Sequence, residues 1–199
     1  MGFFDDLKRA VGNSIKREAV KAVKNAVKEA GKGNNRDVSF TFLKLPENVQ
    51  EIEALAEAKL DTPFKTAALT LISLCRYKES SDDCFAMLDF LKGPENLSTY
   101  EKQFIKERLS GKEYLPFSYF EGAAPHNAYV PKEPYTITVC ENPYSFDNEN
   151  WATLWVKSSG ADSLRSLKFR KKPSTGQWFL NDIQCLSEIR LPTEEDKWA

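Results

Sequence analysis

The side chains able to do covalent or metal chemistry in this chain are few. There is one histidine, His126, and there are four cysteines, Cys75, Cys84, Cys140 and Cys185. Any Ser-His-Asp or Cys-His arrangement must use His126, which lies in a proline-rich stretch, and no GxSxG turn is present. The cysteines form no CxxC and lack zinc-ligand spacing, so no metal and no cofactor are expected. No GxGxxG or GxxxxGKS loop occurs that could cradle phosphate. The stretch DNEN at 147–150 lacks the alternating oxygen ligands of a calcium loop and reads as a turn. With 29 Asp and Glu some carboxylate pair is always available, which carries no information. The inventory points away from an enzyme and leaves the thiols as small reduced residues.

Two stretches remain that could hold a ligand. Residues 112–134, KEYLPFSYFEGAAPHNAYVPKEP, carry four prolines and five aromatics with no regular period. Convergent rings there, with Tyr119, His126 and Tyr129 near Tyr135, could line a small-molecule or hydrolytic pocket; the competing reading is a loop pinned by its own rings. The second stretch is a basic hairpin with Lys168, Arg170, Lys171 and Lys172 beside Trp178. Basic and aromatic residues interleaved in this way suit anions or single-stranded nucleic acid; the competing reading is the solvated face of a half-buried sheet. An acidic body disfavours nucleic acid as the partner.

These stretches need a frame. VSFTFL (38–43) alternates as a strand, and LPENVQEIEALAEAKL (45–60) has helical spacing. Thr62-Pro63 reads as a helix cap and first residue, opening a helix through Arg76 that is apolar nearly all round and therefore central. The Ser/Asp cluster at 80–83 opens a third helix that Gly93-Pro94 stops. Ser98 with Glu101 forms a capping box for a fourth, ending at Gly111. YTITVC (135–140), WATLWVK (151–157), RSLKFRK (165–171) and QWFLND (177–182) alternate as strands, and IRLP (189–192) is a further edge candidate. The expected class is α+β: four short helices packed on an antiparallel sheet of about four to five strands.

The net charge of −1 hides an asymmetry. Residues 1–33 hold eight Lys and Arg against four Asp and Glu, and the rest of the chain is mildly acidic. Phe4, Leu7, Val11, Ile15, Ala19, Ala22, Ala26 and Ala30 recur at steps of three and four, so residues 1–30 are expected to form a long basic amphipathic helix. Residues 31–37 would be a linker, and 38–199 one domain: 38–111 mainly helical, the loop 112–134, and 135–192 mainly strands. The face of Phe3, Phe4, Leu7, Val11 and Ile15 suits an anionic membrane surface or self-association. No signal peptide and no spanning segment is read, so the expected place is the cytoplasm, peripheral to the inner membrane face if the arm binds lipid.

Several separate blocks resemble one known family: FTFLKLP (40–46), PFKTAALTLISLCRY (63–77), FLKGPENLSTYEKQFIKERL (90–109), SYFEGAAPHNAYVPKEPYTITVCENPYS (118–145) and SSGADSLRSLKFRKKPSTGQWF (158–179). The resemblance is to a family of uncharacterised bacterial proteins, mostly Firmicute, known as a domain of unknown function. It implies no activity, cofactor or site residue. The functional expectation is a non-enzymatic binding or adaptor protein, tethered or oligomerised through residues 1–30. The alternatives are a pocket under loop 112–134 and, more weakly, nucleic-acid binding by the 168–172 hairpin.

Overall fold

The computed structural model describes residues 35–198; the expected helix at 1–30, with Phe3, Phe4, Leu7, Val11 and Ile15, lies outside the described residues. The described chain is α+β, with a five-stranded antiparallel sheet in the order β1-β2-β3-β4-β5. The strands are β1 (Arg36–Phe42), β2 (Tyr135–Glu141), β3 (Trp151–Val156), β4 (Arg165–Lys171) and β5 (Trp178–Ile183). Between β1 and β2 come the helices α1 (Val49–Glu53), α2 (Pro63–Cys75), α3 (Ser81–Lys92) and α4 (Thr99–Leu109). The expected strands therefore appear within a residue or two. IRLP at 189–192 is irregular instead, and the Arg190 N–H donates to the carbonyl of Gly160 rather than to a strand.

Each helix begins where its cap residue dictates. Thr62 accepts the Lys65 N–H, with Pro63 at the first helical position, where no N–H is needed. Ser80 accepts the Asp83 N–H. Ser98 and Glu101 form the reciprocal capping box. The segment 45–60 does not run as one helix. Leu55 is extended and Leu60 is left-handed at φ +53°, so a five-residue α-helix is followed by a separate 3-10 turn, Ala56–Lys59.

Helix α2 explains its own sequence. Every residue but Lys65 is buried, because it lies across β2, β3, β4 and β5 and under α3. Its buried hydroxyls are satisfied within the turn before them: Thr70 donates to the Thr66 carbonyl and Ser73 to the Leu69 carbonyl. Thr66 reaches outward and donates to the Trp178 carbonyl at 2.7 Å. The Trp178 N–H donates to the Leu60 carbonyl at 2.7 Å. Both edge-facing groups of β5 at this point are thus tied to the helical layer, which fixes the start of the last strand.

The sheet has an uneven seam. β2 and β3 pair only at Val139–Val156 and Cys140–Trp155. Beyond that the strands part, and residues 118–121 of the loop fill the space. Phe120 bridges Ile137, the Glu121 N–H donates to the Thr136 carbonyl, and the Ser159 N–H donates to the Ser118 carbonyl. The loop that shows no period in the sequence is in part a sixth, one-bridge strand. A β-bulge between Lys168 and Phe169 shifts the β4–β5 register.

Candidate functional site

The aromatic loop closes on itself and on the C-terminal segment. The Tyr119 ring is buried and its hydroxyl donates to the Cys185 carbonyl. Tyr129 is fully buried, stacks on Tyr114 with centroids 5.1 Å apart, and donates to the Arg190 carbonyl at 2.8 Å. Burial pushes the Tyr129 hydroxyl up to about 12 and raises that of Tyr119 further still. Gly160 makes room for this arrangement, since a Cβ there would sit 2.0 Å from the Tyr129 hydroxyl oxygen. Tyr135 meets Phe120 edge-on at 6.0 Å and donates to the Glu133 carboxylate. His126 is exposed on the 3-10 turn Pro125–Asn127. The four residues face different surroundings. Tyr119 borders an open space of about 360 Å³ with Thr136, Thr138 and Lys157, and Tyr135 borders a separate one of about 460 Å³ with Leu43, Phe117 and Glu133.

The hairpin is arranged differently. Arg170 on β4 pairs across the ladder with Trp151 on β3, and its guanidinium lies over the indole at 5.3 Å. Lys171 pairs with Trp178 on β5, with its ammonium 5.7 Å from the ring centre. Trp178 is in turn held edge-on by Phe146 at 6.0 Å. Lys168 faces Asp182 at 3.7 Å, an exposed ion pair across the ladder. Arg170, Lys171 and Lys172 border an open cleft of about 460 Å³, whereas Lys168 and Trp178 do not. The cleft's other wall is the end of α3 and the turn after it, with Lys92, Pro94 and Glu95; Trp151, Phe179 and Asn181 complete it.

That far wall is rigid for reasons visible residue by residue. Lys92, at the end of α3, is nine-tenths buried and pairs with Glu101 of α4. Burial works to raise the Glu101 carboxyl, but hydrogen bonds from Lys92 and Ser98 outweigh it and hold the group below its ordinary value. Asp89 accepts the Leu97 N–H at 2.6 Å and pairs with Lys102 at 3.3 Å. The α3–α4 connection is therefore pinned at both ends. Gly93 ends α3 at φ +73°, and a Cβ there would lie 2.3 Å from Phe179 Cδ1. Only glycine permits both that backbone and that approach of helix end to strand.

Arg170, Lys171 and Lys172 thus line the cleft together with two carboxylates, Glu95 and Glu149, while the charge of Lys92 is already paired with Glu101. Such a lining attracts an anion and offers it a ring and guanidinium to lie against. The hairpin's basic residues stand out in the sequence, but Lys92, Trp151, Phe179 and Asn181 do not. Lys92 reads as a helix-ending cation, and Trp151 and Phe179 read as strand residues. Only the Gly93-Pro94 stop hints that a close approach is needed there.

The remaining chemistry is quiet. All four cysteines are free, and three are buried. Burial raises the Cys75 thiol well above its usual value and pushes Cys84 and Cys185 up to about 12, which disfavours the reactive thiolate. Among the described residues, no group of three or more His, Cys, Asp or Glu is placed to hold a metal ion. Among them, too, no helix is long and apolar enough to cross a membrane.

The family model of the domain of unknown function DUF6935 matches residues 44–193, and the chain belongs to that family. No curated protein and no solved structure matches the chain.

Proposed function

We propose that this member of the DUF6935 family is a binding protein, not a catalyst, and that it takes a small organic anion in the cleft beside the β4–β5 hairpin. The observation that carries the reading is the lining of one open space by Arg170, Lys171 and Lys172 together with Trp151 and Phe179. Arg170 is held on the Trp151 face, so its side chain is ordered before a ligand arrives. A short anion suits this lining better than a nucleic acid strand. Lys168, the next outward-facing cation along β4, is matched to Asp182, so no basic track continues along the strand.

The adaptor half of the reading rests on the charge split. A basic amphipathic arm would tether or assemble the body, in the cytoplasm, where free thiols stay reduced. Deleting residues 1–36 is expected to abolish pelleting with anionic vesicles or to lower the mass in solution. If it changed neither, the arm would be no tether.

The ligand reading is tested with phenyl phosphate followed by tryptophan fluorescence. Saturable binding is expected, weakening at least tenfold in Arg170→Ala/Lys171→Ala and absent for phenyltrimethylammonium. Equal binding of the anion and the cation, or an unchanged double variant, would overturn it.

A further inference from the structure

The cleft does not end at Lys92. On the other side of that side chain lies a smaller bay of about 160 Å³, bordered by Leu97, Phe104, Ile105 and Leu180. Lys92, Leu180 and Asn181 belong to the walls of both spaces. Leu97, Ile105 and Leu180 are themselves core residues, at 7%, 1% and 3% exposure, so the bay opens directly onto the apolar interior. Tyr100 stands at its rim, 79% exposed, with no burial to account for an aromatic ring there. The two spaces differ in character: a mouth lined by Arg170, Lys171 and Lys172, and a smaller recess whose apolar wall is bordered by Glu101, Asn181 and Asp182, with Lys92 on the border of both. The stem of that side chain is aliphatic and its ammonium is pinned to Glu101.

We infer that the ligand is an amphiphilic anion, with its charged head in the basic mouth and a short alkyl or alkyl-like tail in the bay between α4 and β5. This rests on the anion reading above and names the class of ligand. Charge complementarity selects the head, and the apolar wall selects the tail. The bay is too small for a long lipid chain, so affinity should rise with tail length and then stop rising. Together the two spaces fall in the range of ordinary small-molecule sites. The pairing of Lys92 with Glu101 draws the ammonium toward the helical wall, and Lys92, Leu180 and Asn181 form the border that mouth and bay share.

The test is a titration of the full chain with butyrate, hexanoate, octanoate and decanoate, and with the matching alkanols, by calorimetry. Affinity for the acids is expected to rise about fourfold for each added methylene over the first steps and then to level off. The alkanols should bind far more weakly. Phe104→Ala, which widens the bay, should move the plateau to a longer acid, and its thermal melt shows whether it is folded. The length series on the unaltered chain needs no variant to fold. Acids that bind with no dependence on length would overturn the amphiphile while leaving the anion site intact. Alkanols that bind as tightly as the acids would remove the basic mouth from both readings. No binding of the acids or of phenyl phosphate would overturn both.

Discussion

The loop 112–134 and the β4–β5 hairpin with its neighbour β3 both carry aromatic rings, and they use them in opposite ways. In the loop, polar tips point inward: the Tyr119 and Tyr129 hydroxyls donate to the Cys185 and Arg190 carbonyls. The rings stack on one another and fasten the C-terminal segment to the sheet. In the hairpin, the rings serve as platforms for cations. Arg170 lies over Trp151 and Lys171 over Trp178, and both basic residues line the open cleft. Composition alone does not separate a staple from a site. What separates them is where the polar atoms end up, on a backbone acceptor or at a cleft.

That contrast can be broken by substitution, and the largest effects are expected in the loop. Tyr129→Ala removes a fully buried ring, its stacking partner's support and a hydrogen bond. It should cost about 3–5 kcal/mol of stability by chemical denaturation. Anion binding per folded molecule should stay unchanged; a weaker ligand affinity would tie the loop to the site. Gly93→Ala comes next. The residue is left-handed and its Cβ would collide with Phe179, so a loss of about 2 kcal/mol or more is expected. Because Phe179 also borders the cleft, this variant should lose ligand affinity as well, which Tyr129→Ala should not.

Arg170→Ala should do the reverse. Stability should move by no more than about 0.5 kcal/mol, as for most surface changes. Binding of phenyl phosphate should fall about tenfold or more, the usual consequence of losing one charged hydrogen bond. A large loss of stability with unchanged binding would make the hairpin a second staple.

The smallest effect is a pH dependence at the far wall. The Glu101 carboxyl is held below its ordinary value, so its contribution to stability is present above the unfolded-state value. It is lost as pH falls through the folded-state one. Glu101→Gln should therefore be less stable than the unaltered chain at neutral pH. The gap should narrow below roughly pH 4.3, the ordinary range of a glutamate. A gap that stays constant with pH would mean that the Lys92 pair does not contribute.

Much of this fold could be read before any coordinates. The caps at Thr62, Ser80 and Ser98 work through neighbours three residues away, so the sequence displays them directly. The alternation in β2 to β4 likewise reports one buried face, whereas in β5 the buried Leu180 and Ile183 stand three apart across the register shift. The break at Leu55 and Leu60 was hidden, because backbone conformation there answers to packing and not to propensity. The bridge at Phe120 was hidden for a related reason: the parting of β2 and β3 is a long-range event that no local period records. Of the cleft, the hairpin half was legible as charge. The half made by Lys92 and Phe179 was not, since 86 residues separate them and only the fold brings them together.

The most direct measurement is a two-dimensional amide NMR titration of the full chain with phenyl phosphate, following backbone and indole N–H signals. Shifts concentrated at 92–95, 149–151, 170–173 and 179–181, with the Trp151 indole among them and 114–135 still, are the expected result. Shifts centred on the aromatic loop, or none at saturating ligand, would contradict the assignment of the hairpin cleft as the binding site.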